Sequence, residues 1–232
     1  DTDIKNIKRD YHNLRQEAKG IEFAINYGGD ANTISNNKGI PIEEATKIYN
    51  SYMSGFKGLK KYQDFRRKDW FNKGYILLNA LTGHKAFIYD YDKLLEDKKW
   101  MSNLDWDYYR EMKSSHPECE TVQRVRHFFR RKSASEKQSI NYPIQATGSM
   151  CLRVAMVYFF EYLRKYDLLF KVYICVTPYD EINCEAPNEI ADSVAKVLYD
   201  CMVKAGSFFC TRCKLDAEIS RLPNGELPTY WV

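Results

Sequence analysis

The sequence has no long apolar run, no internal repeat and no low-complexity segment, and we expect no secretory signal. None of its hydrophobic stretches approaches the ~20 residues that a membrane-spanning helix needs, so we expect no membrane partner. The first ten residues, DTDIKNIKRD, are charged where a signal peptide would be apolar. The net charge of +4 permits a nucleic-acid partner but is too small to indicate one by itself.

The number and spacing of the cysteines argue against a disulfide framework and against a zinc site. The seven cysteines are an odd number and are scattered through helical and strand-like patterns, which favours reduced thiols in a cytoplasmic protein. Only Cys210 and Cys213 have CxxC spacing. A zinc site would need two further ligands at suitable spacing, and none is evident, so we interpret these cysteines as structural thiols.

The remaining composition is that of a folded domain, because 44% of the 232 residues are hydrophobic and 28% are charged. Periodicity predicts helices over 10–27, 41–52, 56–73 (very basic) and 139–165, and a last helix from Pro187-Asn188 to about Gly206. Apolar runs around Thr82-Gly83 and around Asp180 predict two hairpins, and 213–220 alternates like a strand. The stretch 30–41, DANTISNNKGIP, is typical of a polar, turn-rich segment.

Residues 89–136 differ in character from the rest of the chain. They are charged and aromatic with weak helical periodicity, which suggests a surface excursion. The segment ends in a basic cluster, for which a solvated face and a contact with a phosphate backbone are both open interpretations. That cluster contains Arg124, Arg126, Arg130, Arg131 and Lys132.

One helical face carries a pattern with chemical meaning. Four side chains at a spacing of four share one face within an arc of about 120°; these are Arg15, Lys19, Phe23 and Tyr27. Two cations and two rings suit a polyphosphate joined to a flat base. The opposite face can pack inward through Leu14, Ala18, Ile21 and Ile25. An ordinary amphipathic surface helix is the alternative.

The pattern RxxxKxxxFxxxYG resembles the second signature motif of family A DNA polymerases, the group of bacterial DNA polymerase I and several phage replicative enzymes. The resemblance implies that Arg15 and Lys19 bind the triphosphate of an incoming dNTP, with Lys19 acting in catalysis. It implies that Phe23 lies by the sugar and base, and Tyr27 near the templating position. Gln16 replaces a second Arg that many members carry.

Two further stretches are similar to motifs of the same family. SINYPIQATGSM (139–150) resembles a helix that follows the minor groove of the primer–template, which implies DNA contacts by Asn141, Gln145 and Lys137. Contacts in the minor groove test base-pair shape more than sequence. The start, DTDIK, resembles a D-I-H segment, so Lys5 would replace a phosphate-binding His.

The stretch VTPYDEINCEA (176–186) places two carboxylates between two apolar runs. Asp is a favoured turn residue, so an ordinary hairpin turn is one interpretation. The stretch also resembles the third signature motif, His-Asp-Glu at the turn of a palm hairpin. That resemblance implies that Asp180 is a catalytic metal ligand, that Glu181 assists it, and that Tyr179 replaces the His beside the primer end.

The family takes its other essential Asp from a first motif, D-Y-S-x-[IL]-E, and the 232 residues contain no such run. Polymerases of this kind use two Mg²⁺ ions, which one Asp cannot hold alone. We therefore expect a C-terminal fingers-and-palm portion of a phage-type enzyme that is inactive without its N-terminal palm and thumb portion. If it is phage-encoded, it would act in the cytoplasm of the host cell.

The resemblance implies an α+β fold: a helical fingers subdomain over 1–136, in which 89–136 is a family-atypical insertion, and part of a palm over 137–232. The palm portion would contain a small antiparallel sheet backed by helices. The expected partners are primer–template DNA and dNTPs. Two alternatives remain, a non-catalytic primer–template binding module and a single-subunit RNA polymerase-like enzyme; Glu181 and Phe23 favour a DNA polymerase over the latter.

Overall fold

The structure is a computed structural model that describes residues 11–222 and 224–228. The described chain forms two compact units, one of residues 11–78 and 83–143, the other of residues 79–82 and those from 144 onward. The division of function into fingers and palm at 136/137 stays a prediction. None of the helices in the described part of the chain combines the length and the hydrophobicity that a bilayer crossing needs.

The described residues form eight helices and two two-stranded antiparallel sheets, an α+β fold that confirms the expected class. The first unit contains α1 (His12–Asn26), α2 (Ala31–Lys38), α3 (Ile42–Gly55), α4 (Lys57–Lys73), β1 (Tyr75–Leu77), β2 (Lys85–Phe87), α5 (Tyr91–Met101), α6 (Trp106–Ser115) and the first part of α7 (Glu120–Lys165). The second unit contains the rest of α7, β3 (Tyr173–Val176), β4 (Asn183–Glu185) and α8 (Ala191–Phe209).

The expectation of a turn-rich segment over 30–41 is wrong, because this stretch contains α2. Asp30 caps the helix: its Oδ1 accepts a hydrogen bond from the Thr33 N–H at 2.9 Å. The Thr33 hydroxyl accepts in return from the Asp30 N–H, which completes a capping box. Gly39 ends the helix in the left-handed region. Ile34 is buried with Ile25, Ala45 and Met53, so tertiary packing stabilises a helix of otherwise polar composition.

Residues 89–136 are not a surface excursion, which corrects a second expectation. They form α5, α6 and the start of α7, and they supply Leu94, Met101, Val125 and Phe128 to a core that also contains Trp70 and Ile76. Side chains of the basic cluster form ion pairs and hydrogen bonds within the protein. Arg124 Nε donates to the buried Asp97 carboxylate at 2.7 Å, and Arg131 Nη2 donates to the Asp90 carbonyl at 2.8 Å. These contacts hold the segment to its own unit and leave fewer free cations for a phosphate backbone.

In the second unit, the predicted hairpin is confirmed as β3 paired with β4. Tyr173 lies opposite Glu185, and the register shifts between Ile174 and Val176. The sheet packs on helices through a core of Phe159 and Leu163 from α7, Val172 before β3, and Val194 from α8.

One predicted strand and the boundaries of two predicted helices differ from the structure. The strand expected over 213–220 is not a strand; there Tyr199 Oη donates to Asp216 Oδ1 at 2.8 Å, and Leu215 packs at Gly206. Among the described residues no strand pairs with this segment, and a strand pattern without a paired neighbour forms no ladder. The last helix begins at Ala191 and ends at Phe209, and α7 begins at Glu120, 19 residues before the predicted start at 139.

Candidate active site

The exposed face of α1 carries a cation and two rings in contact. The Phe23 and Tyr27 rings are stacked, with centroids 5.9 Å apart and an angle of 8° between their planes. Lys19 Nζ lies 5.3 Å from the Phe23 centroid. The two rings are 44% and 43% exposed, so a flat apolar surface beside a positive charge faces solvent. This arrangement can stack a base and attract a phosphate.

The N-terminal half of α1 is less buried than its periodicity predicts. Ile25 is buried and Ile21 packs partly against the same core, but Leu14 is 63% exposed and Ala18 is also exposed. The core residues contributed by α2 and α3 contact the second half of α1, which leaves its first turns in solvent. Arg15 is exposed on these turns.

A tight turn ends α1 directly after Tyr27. The Gly28 N–H donates to the Ile25 carbonyl at 2.9 Å, and the Gly29 N–H donates to the Ala24 carbonyl at 2.8 Å. Gly28 has φ of 81°, a region that side chains disfavour. A Cβ there would also lie 2.7 Å from Ile140 Cδ1. The helix end therefore needs glycine for both its backbone and its close contact with α7.

Helix α4 holds this turn from behind. Gln63 is fully buried, and its Nε2 donates to the Ile25 carbonyl at 2.8 Å. Arg67 Nη2 donates to the Gly28 carbonyl at 3.2 Å. Neither residue is among those that the sequence predicts for the site. The one available signal was Gln63 at the helical spacing of seven from Trp70, a polar residue within an apolar stripe.

Helix α7 brings Asn141 to the same turn. Its Nδ2 donates to the Tyr27 carbonyl at 3.3 Å, while its Oδ1 is buried without a partner among the described residues. Tyr62 Oη donates to the Ile140 carbonyl at 2.9 Å, and burial raises the pKa of Tyr62 although Arg66 opposes the shift. Lys137, one turn before Asn141, is exposed. Asn141 and Tyr27 are thus brought together from distant parts of the sequence.

In the second unit, the tip of the β3–β4 hairpin presents the acidic pair. The Glu181 N–H donates to the Pro178 carbonyl at 2.9 Å, which closes a turn around Tyr179 and Asp180. Tyr179 is 99% exposed and has φ of 51°, which is uncommon for a residue with a large side chain. Asp180 and Glu181 are exposed on this turn, and Gln145 is exposed on the part of α7 in this unit.

The hairpin carboxylates have the donor chemistry of a hard-cation site, because Mg²⁺ prefers carboxylate oxygens. Within the described part of this unit, neither Asp180 nor Glu181 forms an ion pair with a basic side chain. Among the described residues, no group of three or more acidic, His or Cys side chains comes together as a metal site. The pair therefore fits part of a magnesium site, and these residues do not complete it.

The profile of DNA polymerase family A matches residues 3–221. The chain belongs to this family. The sequence of this chain is 24% identical over 192 residues to thermostable DNA polymerase I of Thermus thermophilus. It is 25% identical over 189 residues to thermostable DNA polymerase I of Thermus aquaticus. It is 24% identical over 196 residues to DNA polymerase I B, chloroplastic/mitochondrial, of Arabidopsis thaliana.

The alignments cover most of this chain and a minor part of each relative. They include 83%, 82% and 84% of the chain, but 18%, 18% and 15% of the respective relatives. The structure is similar to the POL domain of Pol1 from M. smegmatis, which was solved in complex with a DNA primer-template and dNTP. The TM-score is 0.59 at 18% identity, over 83% of this chain and 27% of that one, which shows a shared fold.

The family A motifs thus fall on two described surfaces, one in each unit. The α1 face brings Lys19, Phe23 and Tyr27 into contact, and Asn141 joins them through the Tyr27 carbonyl. The other predicted residues are exposed side chains, and Lys5 lies outside the described residues. Their roles toward nucleotide, DNA and metal remain predictions.

Proposed function

We propose that this chain forms the fingers and part of the palm of a template-directed DNA polymerase, which adds dNTPs to a primer 3′-hydroxyl. Membership of family A supports the proposal, as do relatives whose names state DNA polymerase activity. The observation that carries it is the exposed Lys19–Phe23–Tyr27 surface on α1, since its cation and stacked rings match the two chemical parts of a nucleotide.

In this proposal α1 binds the incoming dNTP. Arg15 and Lys19 contact the triphosphate, with Lys5 adding a third cation, because ammonium and guanidinium groups neutralise phosphate oxygens. Lys19 also stabilises the negative charge that develops during phosphoryl transfer. Phe23 lies against the sugar and base, and Tyr27 marks the templating position. The glycine turn and Gln63 keep Tyr27 in place before a nucleotide arrives.

The DNA-binding residues of the proposal lie on α7 and the palm hairpin. Lys137, Asn141 and Gln145 contact the primer–template, and Tyr179 lies near the primer end. Asn141 already donates to the Tyr27 carbonyl, and its buried Oδ1 lacks a partner among the described residues.

Asp180 is the proposed metal ligand, and Glu181 supports it from the next position on the turn. Bound Mg²⁺ would supply charge stabilisation at the reacting phosphate and activation of the primer hydroxyl. The protein's part is to hold the carboxylates at the tip of a paired hairpin. Because one Asp cannot hold two ions, we expect these 232 residues alone to bind primer–template without extending it.

Primer extension tests this proposal directly. The 232-residue chain and its Asp180→Asn variant are incubated with Mg²⁺, dNTPs and a labelled primer–template, and DNA binding is measured in parallel. Binding without extension by either protein is the expected result. Extension that Asp180→Asn removes would show that the chain supplies a second metal ligand, whereas extension at the same rate by both proteins would contradict the metal role of Asp180.

The carboxylate set is incomplete among the described residues, which favours one second candidate, a non-catalytic module that binds primer–template DNA. The two functions are distinguished by a longer protein that contains these 232 residues together with a D-Y-S-x-[IL]-E run. The quantity to measure is primer extension. A polymerase gains Mg²⁺-dependent extension in that context and loses it on Asp180→Asn. A binding module gains no extension and keeps its DNA affinity.

A further inference from the structure

Helix α4 is far more basic than the chain that contains it. Its 17 residues include seven Lys or Arg and two Asp, a net charge of +5. The whole chain has a net charge of +4, so the remainder is close to neutral. Of these side chains the proposed nucleotide and metal sites use only Arg67, which donates to the Gly28 carbonyl at the end of α1.

The charges of α4 are divided between two faces of the helix. Gln63 and Trp70 are 0% and 1% exposed and define the buried face. With about 100° per residue, the opposite face carries Lys57, Lys61, Phe65 and Lys68 within an arc of about 80°. All four are exposed, and Phe65 is 58% exposed. We call these four residues the basic stripe; at ~1.5 Å per residue it is about 16 Å long.

The acidic residues of α4 do not neutralise the basic stripe. Asp69 Oδ1 lies 2.7 Å from Lys73 Nζ, and Asp64 Oδ1 lies 4.0 Å from Arg67 Nη1. Within the described residues, the three lysines of the stripe form no ion pair. The two arginines of α4 have structural contacts instead, since Arg66 donates to the Leu77 carbonyl and Arg67 to the Gly28 carbonyl.

An exposed ring between uncompensated lysines limits the partners that fit. Lysines attract a phosphate backbone of any kind, but a ring that stacks needs an unpaired base. A duplex would use the charges and leave Phe65 in solvent. The chemistry of the stripe therefore matches single-stranded nucleic acid better than duplex.

We propose that the basic stripe binds single-stranded DNA, with phosphates on Lys57, Lys61 and Lys68 and a base stacked on Phe65. The choice of DNA rests on the proposed polymerase function. The opposite face of the same helix holds the carbonyls of Ile25 and Gly28, on either side of Tyr27. The strand that the stripe binds is therefore an unpaired stretch of the DNA substrate, since only an unpaired base can stack on Phe65.

The test measures binding of a fluorescent single-stranded oligonucleotide, about 12 nucleotides long, by the 232-residue chain at several salt concentrations. The stripe variant is Lys57→Gln, Lys61→Gln and Lys68→Gln combined. Its matched control removes the same charge from exposed lysines elsewhere in the first unit, as Lys47→Gln, Lys93→Gln and Lys113→Gln. Phe65→Ala is compared with Phe208→Ala, another exposed ring.

The stripe variant should bind at least tenfold more weakly than the control variant at low salt. Its slope of log affinity against log salt should fall by about 2, because each single-strand phosphate contact contributes about 0.7. Phe65→Ala should weaken binding about tenfold without changing the slope, since stacking carries no counterion release. Phe208→Ala should bind like the unmodified chain.

Equal losses in the stripe and control variants would overturn the proposal and show a diffuse charge effect. Absence of oligonucleotide binding, or tighter binding of a blunt duplex with no effect of Phe65→Ala, would also overturn it. Binding needs no catalysis, so this result is independent of the extension assay. Melting temperatures of the variants, measured by circular dichroism, should stay unchanged because every substituted side chain is exposed.

Discussion

Lys19 Nζ lies 5.3 Å from the centroid of the Phe23 ring, and this ring stacks in turn on Tyr27. The contact holds the ammonium group on the same side of α1 as the two rings. A cation–π contact at an exposed site contributes about 0.5–1 kcal/mol, so the loss of Lys19 should cost the fold little. A substitution of Lys19 therefore distinguishes a structural role from a nucleotide-binding role, because only the latter predicts a large loss of dNTP affinity.

Replacing Lys19 tests that role. Lys19→Ala should weaken dNTP binding in the presence of primer–template by roughly tenfold to a hundredfold, because it removes a charge-assisted contact with phosphate. Lys19→Arg should retain most of the affinity. Titration calorimetry with a dNTP measures both. The control, Lys47→Ala, removes an exposed lysine on α3, and an equal loss there would exclude a specific contact by Lys19.

Tyr179→Gly should stabilise the β3–β4 hairpin. Tyr179 is fully exposed and has φ of 51°. A non-glycine residue in this left-handed region costs on the order of 1 kcal/mol of folding free energy, and glycine avoids this cost. We expect a rise of about 1 kcal/mol in the free energy of unfolding, measured by chemical denaturation. Thr177→Gly is the matched control, because Thr177 has no positive φ and should lose stability through backbone entropy. Stabilisation of both variants, or of neither, would contradict the strain at Tyr179.

Asp30→Ala should destabilise the first unit by about 1 kcal/mol at neutral pH, because it removes the cap of α2. Burial alone would raise the pKa of Asp30, but hydrogen bonds from Thr33 outweigh it and lower the pKa below its usual range. A carboxyl with a lowered pKa stabilises the fold above that usual range and loses this contribution as pH falls. The difference from the unmodified chain should therefore shrink on acidification.

Asp30→Asn separates the cap from the charge, since Asn caps about as well and does not titrate. It should be close to the unmodified chain at neutral pH. Thermal unfolding followed by circular dichroism measures both variants. A loss in Asp30→Ala that stays constant from neutral pH to well below pH 3.8 would contradict the assigned ionised cap.

Local sequence determined the features that depend on residues a few positions apart. Helix α1, with Lys19, Phe23 and Tyr27 on one face, follows from a spacing of four, and the β3–β4 hairpin follows from two apolar runs around Asp180. The capping box of α2 was also present in the sequence as Asp30 and Thr33, but the polar composition of the segment hid it. The resemblance to family A rests on the same short motifs, whereas membership is shown by the match of the family profile to residues 3–221.

Tertiary structure decided what depends on distant partners. Gln63 reaches Ile25, and Asn141 reaches Tyr27, from positions that no local period connects. Residues 89–136 are polar on average, yet Leu94 and Val125 are buried because β1, β2 and α4 supply apolar surfaces to cover them. The segment 213–220 has a strand pattern, but within the part of the chain that the structure describes it pairs with no strand. The burial of a side chain and the pairing of a strand are decided only in the folded chain. Each needs a second surface that the local sequence does not contain.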